Sequence, residues 1–541
     1  MPLLATVPAT AARSGRHGTT AVLAVAGAIP ALLALLAAWR APRIHVLLDY
    51  WHVLARITDD GGNLLFGQVF AYHLDQPFVL PSLLFYADAA WFGGDNRMLT
   101  VLSVALVGGI VACLHSMLPK SLPVQGKLAL TVGFSWLLFT SHAAEIWLQG
   151  TNGISWIPAV FFSSLAVSRA HQGRVWTAAI ASALACLSFG AGLPVLFVVA
   201  IVFRLRGQRT ATLGFAAAGA VVIAGWLLTK PVGQQSLATS AFDPDGRLSV
   251  ILAALGGLWS GDLAVAAIIA GAITLALLAL LSTTLHAQPQ ASGWIGLGCY
   301  SLALAVLIGL GRTSSQVPGG NVGLISRYVV IAALATSALL VLITLYRPQW
   351  PLRALVVTVV AVSLATHAIG ATKADNARRG YAPLALTAIA LRVDAPAVLN
   401  QLHIQRDVIP AARALGAYPF DPEFTLGCHG HELGDSLRTA DATDLPGPDA
   451  TGDTHGTVTT GRVTGDALIT GWATINATSP DCILLADATG TITGGGITGL
   501  PSTAPGLPDG TTWHATARPG NEPLTVYAEK DHHLYRITSG G

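Results

Sequence analysis

Apolar stretches of about 20 residues recur along this chain, and they limit what it can fold into. A segment of that length with almost no charge can cross the ~30 Å hydrocarbon core of a bilayer as a helix. Lipid offers no partners to backbone N–H and C=O groups, so such a segment closes its own hydrogen bonds as a helix. Eleven apolar stretches are read, at 20–39, 98–118, 126–142, 154–170, 174–189, 192–205, 210–229, 262–283, 292–310, 326–346 and 352–371, and several of them reach that length. Composition agrees, with 52% of residues hydrophobic, 11% charged and a mean hydropathy of +0.59, which together describe a multi-pass membrane protein. The formal net charge is only +2 and the basic residues lie scattered at span ends, which argues against a nucleic-acid partner.

The first stretch, Thr20–Trp39, exceeds the apolar core of a signal peptide, and Arg40-Ala41-Pro42-Arg43 after it has no small-residue cleavage pattern, so it reads as a permanent helix. Basic residues favour cytoplasmic loops. With eleven crossings, Arg13/Arg16, Lys120/Lys127, Arg169/Arg174, Arg204/Arg206/Arg209 and Arg347/Arg353 all fall on one side. That predicts a cytoplasmic N-terminus and an extracytoplasmic C-terminal region. Leu248–Trp259 is too short for an ordinary span and reads as an interfacial or re-entrant segment. Loops 40–97, 143–153, 230–247 and 311–325 then face outward. Abundant Arg and Ala with scarce Lys fits a GC-rich bacterial genome, and with the spans this places the protein in a bacterial plasma membrane as an expectation.

The first outer loop carries Asp49-Tyr50-Trp51-His52, Asp59-Asp60 and His73-Leu74-Asp75-Gln76-Pro77. Acids and histidines concentrated beside apolar spans mark a place for chemistry at a membrane surface. Asp49, His52 and Arg56 fall on one helical face at i, i+3 and i+7, and Pro77 to Phe92 suits a helix lying along the membrane. Asp59-Asp60-Gly61-Gly62 reads as a turn.

In order and spacing, Asp49-Tyr50, then Asp75-Gln76-Pro77 before Leu83, then Trp91-Phe92-Gly93-Gly94-Asp95-Asn96-Arg97 resemble the first outer loop of the GT-C glycosyltransferases, in their aminoarabinose and protein mannosyl branches. Two positions depart from that pattern: Tyr50 stands where the family has a second acid, and Gln76 where it has a Lys. The resemblance covers residues 20–118, loosens through the later spans and is absent from the C-terminal part. It implies a multi-helix GT-C-like transmembrane bundle. It also implies inverting transfer of a sugar from a polyprenyl-phosphate donor to an envelope glycan, lipid or protein on the outer face of the inner membrane.

That chemistry needs a carboxylate base for the acceptor hydroxyl and a cation for the departing phosphate. Asp49 is the candidate base, with a helix-capping acid as its plainer reading. His73 and Asp75 serve to orient the acceptor, assist proton transfer or hold a divalent ion (Mg or Mn) with Asp49, or form a solvated loop pair. No cofactor is otherwise implied. Arg327 and Tyr328 of Ser326-Arg327-Tyr328, with Arg312, are candidates for the donor phosphate, against the alternative that the arginines snorkel to the interface. His52, His142, Glu145, Trp147 and Gln149 are candidate substrate contacts; the last four also read as interface decoration.

Beyond the transmembrane domain, 1–372, the sequence reads as a mixed helical segment at 373–440, with helices at 395–401 and 406–415, and a linker at 441–454. Residues 455–541 follow as a β-sandwich, with period-two runs at 457–464, 466–475, 482–486, 524–528 and 533–537. Cys428 and Cys482 lie outside the spans and suit a disulfide on an oxidising side. Cys428-His429-Gly430-His431-Glu432 lacks a recognised metal spacing and reads as a loop. Two other functional classes fit the chain: a transporter or flippase of lipid-linked glycan, and a non-catalytic envelope scaffold that binds glycan. The apolar spans are nearly free of acids and show no internal repeat, which disfavours the first.

Overall fold

The computed structural model describes residues 9–231, 244–311, 321–347, 351–450, 452–460, 463–502 and 507–538. Its helices in chain order are α1 (Ala9–Trp39), α2 (Leu48–Ile57), α3 (Phe66–Val69), α4 (Val79–Trp91), α5 (Asn96–Ser116), α6 (Val124–Leu138), α7 (Ala144–Leu148), α8 (Gly150–His171), α9 (Val175–Ser188) and α10 (Val195–Leu205). They continue as α11 (Arg209–Thr229), α12 (Pro244–Gly256), α13 (Ala264–Leu285), α14 (Ser292–Gly311), α15 (Val329–Tyr346), α16 (Leu352–Tyr381), α17 (Thr387–Val393), α18 (Pro396–Gln401) and α19 (Val408–Leu415). The strands are β1 (Thr443–Asp444), β2 (His455–Val458), β3 (Ile469–Thr474), β4 (Cys482–Ala486), β5 (Ile492–Leu500), β6 (Thr512–Ala517), β7 (Thr525–Lys530) and β8 (His533–Ile537).

The chain forms two compact units, one of residues 1–41, 70–81 and 99–375 and the other of 42–69, 82–98 and 376–541. The first is helical. Among the described residues eight helices are long and apolar enough to cross a membrane, where eleven were expected. The stretches read at 126–142, 174–189 and 192–205 are the difference. They fold as helices of 15, 14 and 11 residues, about 17–23 Å long at 1.5 Å per residue. The last two are interrupted by a 3-10 turn at Gly190–Gly192.

The segment expected to be interfacial or re-entrant forms α12 and a following 3-10 turn at Gly257–Trp259. Its Val250, Ala253, Ala254 and Leu255 are buried, and it packs on α13 and α14. Small residues allow that approach: a Cβ on Gly271 would stand 1.8 Å from the Leu252 carbonyl oxygen, and one on Gly256 2.0 Å from that of Ala267.

In the second unit α2 buries Tyr50, Trp51, Val53, Leu54 and Ile57 and packs against α19. Arg43 ties the loop after α1 to the C-terminal region through Asp95 (3.2 Å), Asp421 (3.0 Å) and Glu423 (2.9 Å), with its guanidinium over the Tyr418 ring. The Tyr418 N–H donates to the Gly93 carbonyl at 2.7 Å. This grouping cuts across the boundary expected at 372, because residues 42–69 and 82–98 belong with the C-terminal region.

The β region is one continuous eight-stranded sheet, in the order β1-β8-β7-β4-β5-β6-β3-β2, where a two-sheet sandwich was expected. It curls until its ends meet, the Val458 N–H of β2 reaching the Thr538 carbonyl just past β8 at 3.4 Å. Side chains of Ile469, Ile483, Leu485, Trp513, Val526 and Ile537 fill a single interior. Curling over so small a core demands close strand approach, which β5 supplies with Gly494-Gly495-Gly496: a Cβ on Gly494 would meet the Thr516 carbonyl oxygen at 2.2 Å. The expected linker contributes to the fold as well. Thr443 and Asp444 pair in parallel with β8, and Leu445 is buried in the interior.

Candidate functional site

Of the residues expected to meet a donor phosphate, Arg327 and Tyr328 lie in the helical unit, at the entrance to α15. That helix is apolar along its length and almost wholly buried, and it is preceded by a 3-10 turn over Ser326–Tyr328. The Ser326 hydroxyl fixes the turn, donating to the His142 carbonyl at 2.6 Å and accepting from the Glu145 N–H at 3.2 Å. Arg327 thereby reaches Glu145 at 3.6 Å and donates to the Asn152 side-chain carbonyl at 3.3 Å. Its guanidinium carbon stands 5.3 Å from the centre of the Tyr328 ring, which in turn packs on Trp156.

Lys373 closes the polar ring by donating to the Leu324 carbonyl at 3.0 Å. Burial pushes the Glu145 carboxyl above the usual range, while the charges of Arg327 and Lys373 pull it down. At 3.6 Å the pair is longer than a close charge-assisted contact.

His142 sits against Gly370, whose added Cβ would lie 2.5 Å from its ring. Burial, reinforced by the charge of Lys373, lowers its pKa from 6.5 to about 4. The folded state therefore holds His142 neutral, and the resulting stability is present above pH 6.5 and lost as the pH falls through 4. The thermal midpoint of the detergent-solubilised protein should fall across that window, and His142→Gln should shrink the fall. An undiminished acid loss in His142→Gln would assign it to other groups.

The remaining candidates are placed as follows. Trp147 is buried, packs on Phe139 and donates its indole N–H to the Thr140 carbonyl, which makes it core. Gln149 is fully buried, and its amide makes no hydrogen bond among the described residues. Asp75 lies in a tight turn where His73 and Gln76 bridge. Its carboxylate accepts from the Gln76 amide at 2.6 Å and its backbone carbonyl from the Trp226 indole at 2.7 Å, so it is a buried turn acid. His73 packs on Phe78. Arg312 lies outside the described residues. Asp59 accepts from the Asn63 N–H at 2.8 Å and closes the expected turn.

Asp49 and His52 belong to the second unit, half-buried on the polar side of α2. Beneath them is a constellation that the sequence reading missed. Asp88 of α4, with no side-chain exposure, accepts from the Tyr50 hydroxyl at 2.9 Å and meets His45 Nε2 at 3.0 Å. The His45 and Tyr50 rings stack at 3.6 Å. Burial raises the Asp88 carboxyl, against the pull of its two partners. An acid inside the apolar run from Val79 to Trp91 was the available signal.

Cys428 and Cys482 form a disulfide with Cα atoms 5.4 Å apart. Among the described residues, ligand-type side chains converge in threes only around Glu529, not in the outer acidic loop proposed for Mg or Mn. An apolar cavity of about 1010 Å³ opens between α9, α10 and α11, with Gln208 and Arg209 at its edge. No family model, curated protein or solved structure matches the chain.

Proposed function

We propose that this membrane protein transfers a sugar from a polyprenyl-phosphate donor to an envelope acceptor, with a GT-C-like helical unit and an inverting mechanism. The observation that carries the reading is Arg327. A largely buried guanidinium is held at the mouth of a deeply buried apolar helix by Glu145 and Asn152. In lipid such an arginine is costly and calls for an anion, and a lipid phosphate is the anion at hand. Arg327 steadies the departing phosphate and Tyr328 and Asn152 orient it, while Asp49, in the second unit, keeps the role of acceptor base that the resemblance implies. Trp147 is withdrawn from sugar contact by its packing.

Loss of a charge-assisted phosphate contact costs about 1.5–3 kcal/mol, or roughly 10–150-fold in affinity. Arg327→Ala should therefore raise the KM for a polyprenyl-phosphate sugar by about that factor and leave the acceptor KM nearly unchanged, with Arg327→Lys recovering part. Unchanged donor dependence in purified Arg327→Ala would remove Arg327 from the mechanism.

The cavity between α9, α10 and α11 favours a second reading, movement of a lipid-linked glycan across the bilayer, because an apolar groove edged by Arg209 suits a lipid chain with an anionic head. Reconstituted vesicles separate the two. Product formation with donor and acceptor on one side supports transfer, and redistribution of donor without product supports translocation.

A further inference from the structure

We propose that His429, Glu529 and His532 form a binding site for a divalent zinc-class cation on the outer face of the curled sheet. The argument starts from strand alternation. In β7, Val526 and Ala528 point into the interior, so Tyr527 and Glu529 point to the opposite face. Glu529 is nonetheless only 1% exposed. A buried carboxylate needs a positive partner or a metal. Glu529 pairs in register with Cys482 of β4, and the disulfide from Cys482 to Cys428 fastens the following residue, His429, over it. His429 Nδ1 then lies 3.0 Å from Glu529 Oε1.

The third ligand comes from the opposite direction. Asp531 and His532 form the two-residue turn between β7 and β8, with φ of +49° and +65°. That geometry is the one Asn-Gly adopts most readily, so a His at its second position is an uncommon choice. It aims the imidazole back at the sheet, where its ring centroid is 4.2 Å from that of His429. One ligand atom from each of the three residues lies within 4.8 Å of the others.

A tetrahedral zinc site sets neighbouring ligand atoms about 3.3–3.5 Å apart, so a small contraction completes the set. Two imidazoles and one carboxylate suit a borderline cation, with a fourth position left for water. A dication seated among the three ligands faces the buried Glu529 carboxylate directly. Bound metal would clamp segment 426–432 to the hairpin tip.

The test uses the full-length protein in detergent, without a polyhistidine tag, stripped with chelator and titrated with Zn(II). One equivalent should survive gel filtration in the wild type. Affinity should fall by more than about tenfold in His429→Ala, His532→Ala and Glu529→Gln. Co(II) in place of Zn(II) should give weak d–d bands without a sulfur charge-transfer band, since both nearby cysteines are in the disulfide. His533→Ala, an exposed neighbour on β8, should bind as the wild type does, and mass spectrometry of alkylated samples should show the disulfide intact in every variant. Absence of a retained equivalent in the wild type, equal binding by the three ligand variants, or equal loss in His533→Ala would each overturn the proposal.

Discussion

Asp49→Asn is expected to lower sugar transfer by about 10²–10⁴-fold, the range for loss of a general base, equivalent to roughly 3–5.5 kcal/mol of barrier. The amide keeps the size of the carboxylate but cannot take the acceptor proton. Asp49 lies in the first turn of α2, where a negative charge also stabilises the helix N-terminus by about 0.3–1 kcal/mol. The two roles separate cleanly. A capping acid replaced by Asn costs little stability and no turnover, whereas a base costs turnover at unchanged stability. The measurement is single-turnover transfer alongside the thermal midpoint of the same preparation. Near-native turnover would strip Asp49 of the role and favour a glycan-binding scaffold.

Removing Asp88 should have the largest effect on folding. Its carboxylate is fully buried beneath α2, where it satisfies both the Tyr50 hydroxyl and the His45 ring. Asp88→Ala leaves both without that partner in a site closed to water, a loss of about 3–5 kcal/mol for a broken buried pair. Residues 42–98 should become protease-sensitive at temperatures the parent protein tolerates. Asp88→Asn, which can still accept from Tyr50, should lose less. Equal protease resistance of Asp88→Ala and wild type would mean that the cluster does not hold the outer loop in place.

Periodicity made some elements readable and hid others. Helices α18 and α19 fall close to the expected 395–401 and 406–415, because Pro396 starts one and Gly416, at φ +65°, ends the other. Strands β4, β7 and β8 follow runs of β-branched, aromatic and aliphatic residues. Strand β5 was invisible because Ile-Thr-Gly-Gly-Gly-Ile-Thr-Gly-Leu has the composition of a turn, and only its neighbours make it a strand. Hydropathy over-counted the spans for a related reason. It registers that 126–142, 174–189 and 192–205 are apolar, but not that the helices there run for only 15, 14 and 11 residues.

Of the candidate site, Arg327, Tyr328, Glu145 and His142 were each legible as polar residues at span ends. Their meeting around Ser326 depends on contacts more than 180 positions apart in the chain, and no local pattern encodes that. Asp88 was passed over because the eye follows polar loops, while this acid sits inside an apolar helix.

One feature of the connectivity fixes an arithmetic rule. The chain leaves the second unit at Met98 and re-enters it at Asn376. If that unit sits on one side of a bilayer, whatever crosses between those points crosses an even number of times. Among the described residues, the long apolar helices in the interval are α5, α8, α11, α13, α14, α15 and α16, an odd set of seven. Crossing by all seven therefore obliges one or three of the short helices α6, α9, α10 and α12 to cross with them. Each of these is shorter than the ~30 Å apolar layer, so the lipid must thin around it. On those conditions the parity of the chain ties the number of crossings to a local thinning of the bilayer.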